Sequence, residues 1–309
     1  MGKVYHPSCF AWLLCIAMGN SMCKPPTKSG TRHTSVHAEA AKTSPAAQAP
    51  SSTSSPEASP STEPSPTTAT ALTTIGATAA GPLRAYLTGL EHQKHRQVIL
   101  VLHGKHGLRN DFMHELSHYA QEGFVVIAPD LFYGIKPTTD AEADDLILKL
   151  AADWSKLLAL LQFTQNYIET NFQATNVMAI GYGQTASWLL QASIARNITV
   201  SKIINLHGNP LILEQHPNRH QLVGSLHIFS SRATQVDLAA VQKMRDAHLS
   251  PSNIGPATSS TPTPFLIRTY DHFTAEMFMD PTSPDFNANN AEIAEVYQHI
   301  LEFLREPSK

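Results

Sequence analysis

Past Pro82, short apolar runs alternate with longer amphipathic stretches. The apolar runs are rich in β-branched residues and occupy residues 97–104, 124–130, 176–182, 202–208, 222–230 and 264–270. The amphipathic stretches occupy residues 110–122, 141–170, 184–195, 237–248 and 289–306. Near-continuous apolar strands separated by helices favour a mostly parallel sheet covered by helices on both faces. The predicted fold class is therefore α/β.

The first 81 residues have a different composition. Residues 1–23 combine Lys3, a short apolar segment at residues 10–18 and the small residues Ala17 and Gly19, which is typical of an export signal peptide. Two alternatives remain open for residues 1–23, namely lipid attachment at Cys23 and an N-terminal segment with no targeting role. Residues 24–81 are mostly Ser, Thr, Pro and Ala, so they bury little and are predicted to form a disordered linker. The folded domain is assigned to residues 82–309.

Composition excludes several classes of function. The net charge is −3 and the pI is near 6.6, so nucleic acid is not an expected partner. All three cysteines, Cys9, Cys15 and Cys23, precede the folded domain, which excludes disulfides and cysteine-ligated metals within it. The N-terminal apolar run is short for a membrane span. We expect an exported protein (periplasmic, envelope-attached or secreted), with no cofactor and no integral span in the mature chain.

The stretch VMAIGYGQTASWLLQ, residues 177–191, places Gly-Tyr-Gly between an apolar strand and an apolar helix. Chemistry in parallel sheets gathers at the carboxyl ends of the strands, and a sharp turn from strand to helix is where α/β-hydrolases hold a nucleophile. The residue at the apex of this turn is Gly183, which carries no hydroxyl or thiol. From the residues alone, an ordinary strand-to-helix loop is an equally acceptable interpretation.

Three segments of the chain resemble the dienelactone hydrolase family. They are VILVLHGKHGLRNDFMHELSHYAQEGFVVIAPDLFYG at residues 98–134, AIGYGQTASWLLQAS at 179–193 and FMDPTSPDFNANNAEIAEVYQHILEFL at 278–304. The resemblance runs from about Pro82 to Glu306. It implies the α/β-hydrolase fold, with nucleophile, acid and histidine in that chain order and an oxyanion loop after the first parallel strand.

The chain departs from the family at the positions that would perform acyl transfer. By resemblance, Gly183 stands at the nucleophile position, Ala233 at the acid and Glu276 at the histidine, although a gapped alignment would place His272 there instead. Gly104 stands where the family often has a glutamate near its thiol. The resemblance implies a crevice lined by Gly104, Lys105, His106, Tyr182 and Gln184.

A second motif, HELSH at residues 114–118, fits the His-Glu-x-x-His zinc pattern. The apolar stripe of this helix is formed by Phe112, Leu116, Tyr119 and Ala120, so His114 and His118 are expected to face solvent, without an enclosed cavity or a third ligand. We treat the pair as a weak metal candidate only.

Two hypotheses follow. In the first, the protein is an exported, non-catalytic module that keeps the hydrolase crevice for a small-molecule ligand or an envelope partner. In the second, it is a divergent hydrolase of small esters or lactones that uses an unfamiliar set, such as His272 with Asp271 and an activated water. Loss of one triad member typically removes about 10⁴-fold to 10⁶-fold in rate, which favours the first hypothesis.

Overall fold

The computed structural model describes residues 72–78, 81–95, 97–214, 216–219, 222–230, 236–249, 264–270 and 291–307. Within these residues it has eight strands and six α-helices. The strands are β1 (Leu72–Thr78), β2 (Gly81–Thr88), β3 (Gln97–Leu102), β4 (Val125–Pro129), β5 (Asn176–Tyr182), β6 (Lys202–Leu206), β7 (Gly224–Ser230) and β8 (Phe265–Tyr270). The helices are α1 (Asn110–Gln121), α2 (Asp140–Ala152), α3 (Trp154–Phe172), α4 (Gln184–Ile194), α5 (Leu238–Leu249) and α6 (Ala291–Arg305). Two 3₁₀ helices lie at Leu90–His95 and Pro210–Leu213.

All eight strands form one sheet, in the order β1-β2-β4-β3-β5-β6-β7-β8. β1 and β2 are antiparallel to their neighbours, whereas β4, β3, β5, β6, β7 and β8 run parallel. The registers of β5, β6, β7 and β8 place Gly181, Asn205, His227 and Ile267 side by side. The predicted α/β class and mostly parallel sheet are confirmed.

The helices bury apolar side chains on both faces of the sheet. One layer includes Leu150 of α2, Leu160 of α3, Leu189 of α4 and Val241 of α5. The other layer is formed by α1 and α6, whose apolar stripes pack against the opposite face of the same strands. Burying an apolar side chain contributes about 1.5–3 kcal/mol, so sheet burial on both faces supplies most of the stabilisation. In α1, Phe112, Leu116, Tyr119 and Ala120 are buried, as the helical stripe predicted.

The structure corrects two predicted boundaries. β1 lies at Leu72–Thr78, inside the segment 24–81 that was assigned to the linker, so the sheet begins before residue 82. Only Ile75 is fully buried in β1, so the strand has little hydrophobic pattern and is held by backbone pairing to β2. The predicted helix at 141–170 is two helices. Asp153 separates them, because its carboxylate accepts a hydrogen bond from the Lys156 N–H and caps the start of α3.

The predicted signal peptide and residues 24–71 of the predicted linker lie outside the described residues. Among the helices that the structure does describe, none combines the length and the apolar character needed to cross a bilayer.

Candidate functional site

The turn from β5 into α4 has the backbone of a nucleophile elbow. Gly183, at its apex, has φ 60° and ψ −128° and immediately precedes α4. These angles match the first central position of a type II′ turn, which glycine adopts without the steric cost that a side chain would bring. The Gly183 N–H donates to the Leu206 carbonyl at 2.7 Å, which fixes the turn against β6. The sharp turn is therefore present, and its apex carries no side chain.

Close packing between β5 and α4 explains the first glycine of the turn. A Cβ atom on Gly181 would lie 2.4 Å from Ala186 Cα and 2.9 Å from the Ala186 nitrogen. Both are backbone atoms of the first turn of α4, so the space cannot be made by rotating a side chain. Glycine at 181 thus lets the helix start directly above the end of the strand.

Thr185 ties the turn to the neighbouring strand β3. Its buried hydroxyl lies 3.1 Å from the Leu102 carbonyl, 3.0 Å from the His103 carbonyl and 2.9 Å from the Tyr182 carbonyl. The same oxygen accepts a hydrogen bond from the Tyr182 N–H at 3.3 Å. Since a hydroxyl has one hydrogen, these carbonyls share it. The contacts hold the end of β3 and the elbow at a fixed separation.

His103 organises the loop after β3, where the sequence predicted an oxyanion loop. The imidazole is fully buried, its Nε2 accepts a hydrogen bond from the Leu131 N–H at 3.1 Å, and its Nδ1 lies 2.8 Å from the Gly104 carbonyl. We therefore assign the hydrogen to Nδ1, which donates to Gly104. Burial lowers the pKa of His103, so the ring is neutral. This neutral imidazole joins the loops that follow β3 and β4.

Lys105 and His106 lie on this loop and face α2. The Lys105 Nζ lies 2.8 Å from Asp140 and 3.6 Å from Asp144, and His106 Nε2 lies 3.7 Å from Asp140. Burial opposes the charge of Lys105, but the two carboxylates outweigh it and raise the pKa of its ammonium group. The hydrogen bond from Lys105 lowers the pKa of Asp140. The two predicted crevice residues are thus held together at the start of α2.

Tyr182 and Gln184, which flank the apex, have different surroundings. The Tyr182 side chain is fully buried against Phe112, and its hydroxyl donates to Glu115 Oε1 at 3.0 Å. It therefore lies in the layer between the sheet and α1. Gln184 is exposed and Gly183 is partly exposed. Of the predicted crevice side chains around the apex, Gln184 is the one that reaches the surface.

Ala233, His272 and Glu276 lie outside the described residues, so their roles stay predictions. The strands before them end at Ser230 and Tyr270, and the parallel register puts these ends on the same edge of the sheet as Gly183. The described ends of β7 and β8 therefore lie at the edge that carries the elbow.

His207 is a residue at this edge that sequence reasoning passed over. It directly follows β6, its N–H donates to the Ile228 carbonyl at 3.0 Å, and its φ is 61°. Burial lowers the pKa of its imidazole to about 4, which leaves the ring neutral at pH 7. The sequence feature that could have identified His207 is its position directly after a buried strand. Its spacing to the other histidines matches no metal-ligand pattern. Beside it, the Asn209 N–H donates to Ser187 Oγ at 2.7 Å, which joins the loop after β6 to the start of α4.

The HELSH motif does not assemble a metal centre. His114 and His118 are exposed, with ring centroids 5.5 Å apart, and Glu115 is buried on another face of α1. No group of three metal-ligating side chains occurs among the described residues. The predicted exposure of both histidines is confirmed. Beside them, α1 and α6 flank a partly open cavity of about 420 Å³ that both histidines border.

Comparisons with known proteins agree with this geometry. The sequence model for the dienelactone hydrolase family matches residues 83–250. A dienelactone hydrolase-like promiscuous phosphotriesterase from metagenomic libraries has a similar structure, with TM-score 0.59 and 13% identity, over 76% of this chain and 98% of its own. A protein described as a dienelactone hydrolase from Klebsiella pneumoniae subsp. pneumoniae gives TM-score 0.56 at 17% identity, over 77% and 98%. No curated protein gives a significant match to the chain. At these identities the structural likeness establishes the shared fold alone.

Proposed function

The chain belongs to the dienelactone hydrolase family, and we propose that it is a member that binds a small ester, lactone or carboxylate without forming an acyl-enzyme. The observation that carries the proposal is the elbow itself. Its backbone has the angles that present a nucleophile, and the residue presented is Gly183. Covalent acyl transfer requires an oxygen or sulfur at this place, activated by a base.

Parts of the site that depend on the backbone survive the loss of the side chain. An oxyanion hole in this fold uses the N–H of the residue after the nucleophile and an N–H from the loop after the first parallel strand. In this chain the corresponding groups belong to Gln184 and to residues 104–107, which His103 holds in place. Preorganised N–H groups attract a carbonyl or carboxylate oxygen whether or not a reaction follows. This supports a site that recognises the oxygen of an ester, lactone or acid.

A second candidate function is hydrolysis of small esters or lactones by an activated water. It is favoured by family membership and by His207, a neutral imidazole at the same edge as Gly183. A general base works best when its pKa lies near the working pH, and the pKa of about 4 makes His207 a weak proton acceptor. His272 with Asp271, proposed from the sequence, is the other source of a base. We therefore rank this function second.

Turnover assays on the full-length chain distinguish the two functions. We expect no hydrolysis of short-chain 4-nitrophenyl esters or dienelactone above the uncatalysed rate, and no residue labelled by a fluorophosphonate probe. Gly183→Ser supplies a hydroxyl at the apex without a base to activate it, so it should also stay unlabelled, while Gly183→Ala, which adds only a Cβ, serves as the matched control. Wild-type turnover that survives Gly183→Ala and is lost in His207→Ala or His272→Ala would establish the hydrolase instead.

Binding without turnover is measured by protein-detected titration with the intact lactone and its hydrolysed acid. We expect saturable binding by the wild type and a change in affinity in Gln184→Ala, because Gln184 is the exposed residue after the apex. Failure of both compounds to bind at millimolar concentration would reject the proposed ligand class.

Export is part of the same proposal and is supported by the composition of residues 1–23. The mass of the mature protein recovered from its native host tests it. A chain that retains its first 19 residues inside the cell would argue against export.

A further inference from the structure

A cavity of about 420 Å³ lies between α1 and α6. It is on the face of the sheet that these two helices cover, whereas α4, the helix that follows Gly183, packs on the opposite face. α6 contributes an apolar wall that includes Ile293, Ala294 and Leu301. The cavity is therefore separate from the crevice at the elbow, and neither proposed function uses it.

Three oxygen-bearing side chains of α1 line this cavity at intervals of four residues. Asp111, Glu115 and Tyr119 fall on one helical face because residues i and i+4 are neighbours on a helix. Two of them have a buried oxygen without a hydrogen-bond partner among the described residues, namely Glu115 Oε2 and the Tyr119 hydroxyl. Buried polar atoms are rarely left unpaired, so two on one face point to a ligand group that donates hydrogen bonds.

Glu115 is the centre of this set. Its side chain is buried, with 6% of its surface exposed, and only its Oε1 is satisfied, by the Tyr182 hydroxyl. Asp111 already forms an ion pair with Arg109, whose Nη2 lies 3.1 Å from its Oδ2. The two buried oxygens that lack a hydrogen-bond donor are therefore Glu115 Oε2 and the neighbouring Tyr119 hydroxyl.

The charged residues that line the cavity indicate that its ligand is a cation. The described residues that line the cavity include three acids, Asp111, Glu115 and Glu122, and no lysine or arginine. Glu122 is paired with Arg305 outside the lining set. The rings of Tyr119 and Tyr297, with centroids 5.8 Å apart, add aromatic surface beside the carboxylates. Carboxylates and aromatic rings together are the surroundings that an organic cation prefers.

We propose that this cavity binds a small primary alkylammonium ion. The ammonium group donates to Glu115 Oε2 and to the Tyr119 hydroxyl, and the alkyl chain lies against Ile293 and Leu301. An ammonium group has three donors and no acceptor, so it satisfies these oxygens without introducing an unpaired acceptor of its own. An alcohol of the same length offers one donor and no charge, and a carboxylate is repelled.

The state of Glu115 makes binding depend on pH. Burial is the largest influence and raises the pKa of its carboxyl to about 7, and the neighbouring Tyr297 and Tyr182 hydroxyls oppose this rise. The carboxylate is then mostly protonated at pH 6 and mostly ionised at pH 8, so affinity should rise about tenfold between them.

Calorimetric titration of the full-length chain with n-butylamine tests the proposal. We expect saturable binding at pH 8, about tenfold weaker binding at pH 6, and no binding of butan-1-ol or butyrate. Glu115→Gln should lose at least tenfold in affinity and most of the pH dependence, and Tyr119→Phe should lose a smaller factor. Glu302→Gln, the same charge change at an exposed position of α6, is the matched control and should bind like the wild type.

Several results would overturn the proposal. They are no binding of butylamine at millimolar concentration, equal binding of butan-1-ol, or unchanged affinity in Glu115→Gln. The double variant His114→Gln/His118→Gln should keep the tenfold change between pH 6 and pH 8, because Glu115 is responsible for it, and loss of that change would also count against the proposal. Should Glu115→Gln fail to fold, Tyr119→Phe and the wild-type pH profile still decide the matter.

Discussion

Gly181→Ala should be among the most destabilising single-methyl additions in this protein. The new Cβ would lie 2.4 Å from Ala186 Cα, 2.9 Å from its Cβ and 2.9 Å from its nitrogen. Ordinary carbon–carbon contact is about 3.5–4.0 Å, so the end of β5 and the start of α4 must separate by about 1 Å. Overpacking a tight core costs about 1–3 kcal/mol, and the rigid backbone on the receiving side puts this case at the upper end, about 3 kcal/mol.

Urea unfolding of the wild type and of Gly181→Ala, followed by circular dichroism, measures this difference. A loss of about 3 kcal/mol corresponds to a fall of roughly 6–12 °C in the melting temperature of a domain of this size. Gly224→Ala is the matched control, since its added Cβ would meet only side-chain atoms at 3.3 Å or more, namely Pro264 Cγ at 3.3 Å, Pro264 Cδ at 3.5 Å and Phe303 Cζ at 3.8 Å. Its stability should change by less than about 1 kcal/mol. If Gly181→Ala loses no more than this control, strand and helix are not in the close contact described, and the elbow geometry is wrong.

Three further predictions concern buried polar groups. Thr185→Val removes the hydroxyl that joins β3 to the elbow and should cost about 1–3 kcal/mol in urea unfolding, whereas Thr185→Ser should recover most of it. His103→Leu leaves the Leu131 N–H and the Gly104 carbonyl without their imidazole partner and should lower the free energy of unfolding by about 2–4 kcal/mol. The wild type should also lose stability below pH 6.5, because the unfolded chain then binds a proton at His103 that the buried ring of the folded chain does not bind. For Glu115 the pH dependence has the opposite sign, because folding raises the pKa of its carboxyl from 4.5 to about 7. The free energy of unfolding should therefore fall by about 3 kcal/mol as the pH rises from 4.5 to 7 and stay level above pH 7. Glu115→Gln should remove this fall in a pH series of unfolding curves.

Most of the sheet could be predicted from local sequence because parallel strands are buried on both faces. Each of the six predicted apolar runs contains an observed strand, and the elbow at Gly183 lies where the strand and helix patterns meet. β1 and β2 were both missed; β1 buries little beyond Ile75, and the pairing of β1 with β2 leaves no periodic trace in the sequence. The division of the 141–170 helix at Asp153 was missed because the apolar pattern continues through the break.

The candidate site was predicted less completely. The apex glycine and the residues of the oxyanion loop follow from their order along the chain, which the family resemblance supplied. The burial of His207 and the Thr185 contacts could not be found in this way, because they depend on which strands are neighbours. The burial of the Tyr182 side chain against Glu115 likewise depends on where α1 packs.

The sequence by itself determined the α/β class, the place of the elbow and the absence of a nucleophile at its apex, because each depends on residue type and on order along the chain. The tertiary structure decided what surrounds these residues. The turn at Gly183 is fixed by its hydrogen bond to Leu206 of the neighbouring strand, and the raised pKa of Glu115 and the cavity between α1 and α6 arise from side chains that are distant in sequence. Desolvation and steric contact act through space, and local sequence carries no record of either.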